Sequence, residues 1–224
     1  MKKYVIIVAG GAGSRMNNSV PKQFLPLKGK PLLFYPIHTF LEAYEDCNVI
    51  LVLPEDHIAT GQEIIDAYFD HNRVQVTMGG RTRFHSVQNG LKMVSEESMI
   101  FVHDAVRCLL TTSLIHRCYE AAVQNGSAVP VVNCRDSVRI ITEDGNEPVD
   151  RDLVKMIQTP QVFHSKILLP AFNIDYKDKF TDEATVIEAF GLKVFLVDGE
   201  EDNIKITRPS DLLVAEKILD ARVA

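Results

Sequence analysis

Apolar residues in this chain gather in two alternating patterns. Short unbroken runs, Val5 to Val8, Val49 to Leu53, Met99 to His103 and Ala128 to Val132, read as strands covered on both faces. Between them apolar positions return every three or four residues, the spacing of one helix face. Leu33, Ile37, Phe40, Leu41 and Tyr44 make such a face within Pro31 to Tyr44, with Pro36 in the first turns, where proline is tolerated. Ile58 to Phe69, a stretch carrying Phe84, Val87, Leu91 and Val94, and Ser113 to Gln124 predict further helices, and Val74 to Thr77 is short and β-like. Strand and helix thus alternate through the first 132 residues, which predicts an α/β fold with a mostly parallel sheet and helices on both faces. Ligands then bind beyond the carboxyl ends of the strands.

The pattern changes after Asn133. Val138 to Ile140 and Val149 flank a segment, Thr142 to Asn146, that contains Asp144-Gly145, a strong hairpin signal. Residues 134–153 are therefore expected as an antiparallel arm inserted in a single domain spanning 1–224. A lone hairpin is marginal in water and needs a surface to lie on. The expectation is that it crosses to a second subunit, giving a homodimer; folding back on its own domain is the alternative. Ser165 to Phe172 and Asp182 to Phe190 read as short helices, the first turn of the latter capped by Thr181 and its end marked by Gly191 at C′. Lys193 to Val197 reads as a strand and Asn203 to Thr207 as extended. Pro209-Ser210-Asp211 opens a final helix, Leu212 to Leu219, expected to pack its apolar residues on the sheet.

Composition narrows the function classes. The formal charge of −6 argues against a nucleic-acid surface, so any anionic ligand must be held by locally gathered Arg and Lys. No apolar run approaches the roughly 18 residues of a membrane span, and Met1-Lys2-Lys3 leads straight into a strand, so no membrane partner is expected. Cys47, Cys108, Cys118 and Cys134 lack metal-ligand spacing and fit a reduced, cytoplasmic protein.

Candidate chemistry follows the strands. After Val8 come Ala9, Gly10, Gly11, Ala12 and Gly13, small residues that let backbone N–H groups approach an anion, then Arg15 and Lys22. This combination suits a nucleoside triphosphate. The dinucleotide fingerprint fails at Met16, and no Gly-Lys-Ser/Thr of a P-loop occurs. Gly79, Gly80 and Ser86 offer backbone groups and a hydroxyl to a base edge, or equally a tight turn with a helix cap. Asp104, at the end of a strand, can help hold Mg²⁺ or another divalent cation, and Arg107 can grip a phosphate. His103 points away from Asp104 along an extended strand and reads as a hydrogen-bonded core residue, not part of a Ser/His/Asp triad. Arg151, Thr159 and Lys205 are unremarked by residue physics alone.

Taken in order, GxGxRM (11–16), PKQF (21–24), GGxxRxxSV (79–87), HDAxR (103–107), Asp136-Ser137, VDR (149–151), TPQxF (159–163), TDEA (181–184) and NIKIT (203–207) resemble the 2-C-methyl-D-erythritol 4-phosphate cytidylyltransferases of non-mevalonate isoprenoid synthesis. The resemblance implies a three-layer, Rossmann-like nucleotidyltransferase fold with a protruding β-arm, and transfer of CMP from CTP to a polyol phosphate with release of pyrophosphate. It implies that Arg15 and Lys22 stabilise the α-phosphate, and that Lys205 and Arg151 position the acceptor, Arg151 arriving from a partner's arm. It further matches Ala9, Gly10, Gly11, Gly13, Gly79, Gly80 and Ser86 to the nucleotide, and Asp104, Arg107, Ser137 and Thr159 to the second substrate and metal. The chain departs from the family at Val106 and Cys108, and at Ser137, where threonine is usual. Ala9-Gly10-Gly11 looks more like the sister ribitol-5-phosphate cytidylyltransferases, the near alternative. A nucleotide-binding protein without catalysis is the distant one.

Overall fold

The computed structural model describes residues 1–10 and 20–223, so Gly11, Gly13 and Arg15 lie outside the described residues. The first apolar run is β1 (Lys2–Val8). A 3₁₀ turn (Lys22–Phe24) and a small ladder of β2 (Pro26–Leu27) with β3 (Lys30–Pro31) follow. Next come α1 (Phe34–Ala43), β4 (Cys47–Leu53), α2 (Ile58–Tyr68), β5 (Val74–Met78), α3 (Arg83–Leu91), β6 (Ser98–Asp104), α4 (Thr112–Asn125) and β7 (Ser127–Asn133). The second part holds β8 (Val138–Thr142), β9 (Gly145–Val149), β10 (Lys155–Ile157), β11 (Gln161–His164), α5 (Ser165–Ala171), α6 (Glu183–Ala189), β12 (Leu196–Asp198) and α7 (Pro209–Val223).

The main sheet runs β10-β7-β11-β6-β1-β4-β5, with β12 also paired to β7. Strands β6, β1, β4 and β5 are parallel neighbours, while β11 runs antiparallel between β6 and β7. Alternation along each strand divides the core. Val5, Ile7, Leu51 and Phe101 pack under α1, α2 and α4, and Ile6, Val52, Ile100 and Val102 pack under α3, α5 and α6. Three layers result, the expected Rossmann-like nucleotidyltransferase architecture. The hairpin β8–β9 pairs from Val138 with Val149 to Thr142 with Gly145. Ile140 and Ile141 on it are exposed, Ile141 at 80%, as is Leu153 after it at 81%, while Val138 and Val149 are half-buried.

Several expectations need correction. Pro31 belongs to β3, so the first helix opens only at Phe34, and the helix carrying Phe84 stops at Leu91, short of Val94. The strand expected from Lys193 is confined to Leu196–Asp198. Helix α7 does not lie on the sheet: Leu212, Ala215, Ile218 and Leu219 pack with Leu25, Leu27, Leu32, Val106, Leu109 and Ile206, a separate cluster built from loops. The cap of α6 is Asp182 and not Thr181, in a reciprocal capping box with Thr185. Gly191 does stand at C′, with φ +92° that a glycine adopts without strain. No helix among the described residues is long and apolar enough to cross a membrane.

Candidate active site

Strand register sets the height of the site. Val8 lies level with Val52 on one side and Asp104 on the other, so three parallel strands end together. Their loops then lock to one another through the backbone: Ala9 N–H donates to Val52 O (2.9 Å), Gly79 N–H to Leu53 O (2.7 Å) and Ala105 N–H to Val8 O (3.1 Å). Gln23, fully buried, donates through Nε2 to Ala9 O at 2.7 Å and so ties the Lys22 turn to the first loop. Lys22 Nζ donates to Ile206 O at 3.3 Å, which brings the C-terminal extended segment to the same rim.

The second glycine loop is shaped by its own helix. Thr82 caps α3, and Ser86 Oγ accepts from Gly80 N–H (3.1 Å) while donating to Thr82 O (3.0 Å). A Cβ at Gly80 would come within 2.4 Å of His85 Cβ, so no side chain fits there. Of the two readings left open for this loop, the turn with a helix cap is visible, and Ser86 and Gly80 also line a cavity.

That cavity, about 220 Å³, is walled by Ala9, Gly10, Lys22, Gly80 and Ser86 together with Arg83, Asp104 and Lys205. A second, about 190 Å³, is walled by Arg107, Gln158, Thr159, Gln161, Thr181 and Asp182, and again by Arg83, Asp104 and Lys205. Three charged residues therefore line both.

This shared wall is a charge cluster. Asp104 Oδ2 lies 2.8 Å from Lys205 Nζ and 3.9 Å from Arg107 Nε, while Oδ1 lies 3.3 Å from Arg83. Burial alone would raise the Asp104 pKa, but Arg83, Lys205 and Arg107 outweigh it and hold the carboxyl well below the usual range. Arg83 forks onto Glu183, Nη1 to Oε1 at 2.5 Å and Nη2 to Oε2 at 3.0 Å, with Glu183 almost wholly buried. Burial pushes the Glu183 pKa up, against the pull of Arg83. Arg107 donates to Asn203 O (2.7 Å) and Ile157 O (3.3 Å), and buried Asn203 donates to Thr159 O (2.9 Å).

His103 behaves as expected of a core residue. Its Nε2 lies 3.2 Å from Arg107 O, an acceptor, so Nε2 carries the proton and Nδ1 accepts from the Thr159 hydroxyl at 3.1 Å. Burial lowers its pKa to about 4. Thr159 Oγ1 in turn accepts from Asp104 N–H at 3.1 Å, which fixes the end of β6.

Ala9, Gly10, Gly80, Ser86, Lys22, Asp104, Arg107, Thr159 and Lys205 thus meet at one rim, with Gly79 anchoring its loop. Ser137 and Arg151 do not line either cavity; both are exposed at the base of the hairpin, where Arg151 Nη1 donates to Arg135 O at 3.2 Å. Residue reasoning passed over Gln23, Arg83, Glu183 and Asn203. All four stand inside the motifs given above, PKQF, GGxxRxxSV, TDEA and NIKIT. Among the described residues no group of three or more His, Cys, Asp or Glu gathers as a metal cage. Among the described residues Asp104 is the one carboxylate that lines both cavities.

The sequence model of the IspD family, 2-C-methyl-D-erythritol 4-phosphate cytidylyltransferase, matches residues 3–221. A 2-C-methyl-D-erythritol 4-phosphate cytidylyltransferase of Phocaeicola vulgatus is 44% identical over 98% of this chain and 100% of its own length. One from Clostridium botulinum is 39% identical over 98% of each. Among solved structures, the 4-diphosphocytidyl-2C-methyl-D-erythritol synthase of Anaerococcus prevotii superposes with a TM-score of 0.84 at 28% identity, covering 98% of both chains. The cytidylyltransferase of Thermus thermophilus gives 0.76 at 29% identity, covering 98% of this chain and 100% of its own. A match that runs from the first strand into the last helix leaves one conclusion: the chain belongs to the 2-C-methyl-D-erythritol 4-phosphate cytidylyltransferase family.

Proposed function

We propose that the first cavity takes CTP, that the second takes 2-C-methyl-D-erythritol 4-phosphate, and that the cytidylyl group passes across the wall between them. Family membership makes the chain a cytidylyltransferase of isoprenoid precursor synthesis. An acceptor phosphate oxygen attacks the α-phosphorus of CTP, the bond to the bridging oxygen of pyrophosphate breaks, and the cytidine diphosphate ester of the polyol is left. A phosphate monoester, with second pKa near about 6, is already mostly dianionic at neutral pH, so no general base is needed. The obstacle is the approach of two anions, and the remedy is positioning with fixed positive charge. The single observation behind this reading is that Arg83, Asp104 and Lys205 line both cavities.

Within it, Lys22 and Lys205 face the reacting phosphates, joined by Arg15. The backbone from Ala9 through Gly10, Gly11 and Gly13 cradles the triphosphate, and the Gly79, Gly80 and Ser86 loop receives the base. Arg107 and Thr159 hold the second-substrate side, with Ser137 and Arg151 completing the site from the arm of a second copy in a homodimer. Asp104 would hold a Mg²⁺ or similar divalent ion once bound phosphates draw Lys205 off its Oδ2, since such ions take one or two carboxylates and leave their other positions to phosphate and water. When bound, the ion offsets triphosphate charge. The whole chain acts as one catalytic domain with 134–153 as its arm, in a cytoplasmic setting that the free, buried thiols of Cys47, Cys108 and Cys118 suit.

The test is pyrophosphate release from CTP with a panel of acceptors. Release with 2-C-methyl-D-erythritol 4-phosphate is expected, at a kcat/KM well above that for ribitol 5-phosphate or glycerol 3-phosphate. Preference for ribitol 5-phosphate would overturn the acceptor, and no release with any of them would overturn the site.

A further inference from the structure

We propose that Glu183 and Arg83 form a positioning pair that sets the rotation of the Asp104 carboxylate, and through it the place of the Lys205 ammonium at the wall between the cavities. The proposal rests on the two-cavity reading above.

Three elements distant in sequence meet here. Arg83 is the first residue of α3, Asp104 the last of β6 and Glu183 the first of α6. An acid in the first turn of a helix has an ordinary explanation in the helix dipole, but that explanation needs no burial. Glu183 is 1% exposed and sits beside Ala184, Val186 and Ile187 in an apolar cluster with Phe84. An apolar pair in the same space would generally be as stable as a buried ion pair, or more so, so stability is a poor account of the charges. Orientation is a better one.

The geometry shows what is oriented. Glu183 engages Nη1 and Nη2 of Arg83 with both of its oxygens, which fixes the guanidinium plane. The remaining edge, Nε and Nη2, meets Asp104 Oδ1 at 3.3 Å. Thr159 holds the Asp104 backbone, so the carboxylate is placed by its two side-chain torsions, and Arg83 holds the oxygen, Oδ1, that sets its rotation. Lys205 is thereby left with Oδ2 alone, at 2.8 Å, with its side chain still 42% exposed toward the cavities. Without Glu183 the guanidinium swings, both Asp104 oxygens turn toward Lys205, and the ammonium withdraws from the phosphate it must meet. Glu183 lines neither cavity, so its effect must travel through Arg83 and Asp104.

The experiment is a double-mutant cycle of Glu183→Gln with Asp104→Asn, reading kcat, acceptor KM, CTP dissociation constant and thermal midpoint. Glu183→Gln should lower kcat on the order of 10- to 100-fold while CTP affinity moves less than about threefold. In the Asp104→Asn background the same substitution should add less than about threefold, because its target is already gone. Wild-type kcat in Glu183→Gln, or its full effect repeated in the Asp104→Asn background, overturns the proposal. If Glu183→Gln does not fold, the double variant Arg83→Met with Glu183→Met fills the space with apolar atoms. It should keep its thermal midpoint and still show the reduced kcat, and wild-type kcat there overturns the positioning role. Full turnover by Asp104→Asn and Lys205→Ala would instead remove the two-cavity reading beneath it, so the two failures are distinguishable.

Discussion

Lys205 and Lys22 approach the rim from opposite ends of the chain, one held by a carboxylate and the other donating to Ile206 O. Neither belongs to the apolar core, so replacing either removes charge from the reaction without opening a cavity. Lys22→Ala and Lys205→Ala should each lower kcat on the order of 10²- to 10³-fold, the usual cost of losing one preorganised charge donor, with little change in thermal midpoint. Steady-state kinetics beside a melting curve checks this, and near-normal turnover would take the residue out of the mechanism. His103 makes the opposite case, structural and pH-sensitive. Its pKa is lowered by burial from 6.5 to about 4, so between those values the unfolded chain binds a proton that the folded chain does not. Stability is therefore complete above about pH 6.5 and falls as the pH drops toward 4, by at most on the order of 3 kcal/mol. Asp104, whose folded pKa is depressed, adds a loss of the same sign only at lower pH. Urea unfolding at pH 7 and pH 5 should show the decline, and His103→Gln should flatten it. An unchanged slope in that variant would show that other groups titrate.

At the scale of elements, what could be read from the chain was whatever local spacing decides. Strands β1, β4 and β6 carry nearly unbroken apolar runs, and their places hold to within three residues, as in Val5 to Val8 against Lys2–Val8 and Val49 to Leu53 against Cys47–Leu53. The hairpin was legible from Asp144-Gly145, although the turn itself falls one residue earlier, on Glu143 and Asp144, with Gly145 opening β9. Strand β11 was not, since Gln161 to His164 is four residues long behind a proline, and only its insertion between β6 and β7 makes it a strand. The face of α7 could not be assigned either. Leu213 and Val214 continue its apolar run yet stand exposed, because the partner surface is a cluster of loops whose assembly no periodicity announces. The same limit applied at the site. Lys22 and Lys205 took their roles from the resemblance, whereas Arg83 and Glu183, though inside GGxxRxxSV and TDEA, each have a bland local reading, a cation beside a glycine loop and a first-turn acid. Their meeting across 100 residues is a fact of packing alone.

The whole molecule raises the question that its surface leaves open. Ile140, Ile141, Leu153, Met156 and Ile157 are all exposed along the hairpin and the strand after it, and such a run of apolar side chains points to an interaction site. On the same stretch Arg151 and Ser137 stand outside both cavities of their own subunit. The two-fold dimer proposed above, through the arm, would account for both by burying the apolar row and carrying Arg151 to the neighbour's rim. Complementation separates this from a hairpin that merely folds back. Lys22→Ala disables the rim of its own subunit, and Arg151→Ala disables the rim its arm reaches. If arms are exchanged, a mixed dimer of the two variants has one site with neither defect. Random mixing makes about half the dimers mixed, so about a quarter of wild-type activity should return after joint refolding or co-expression, although each variant alone is nearly dead. If Arg151 serves its own subunit, the mixed dimer contains one site without Lys22 and one without Arg151, and activity stays at the level of the parents.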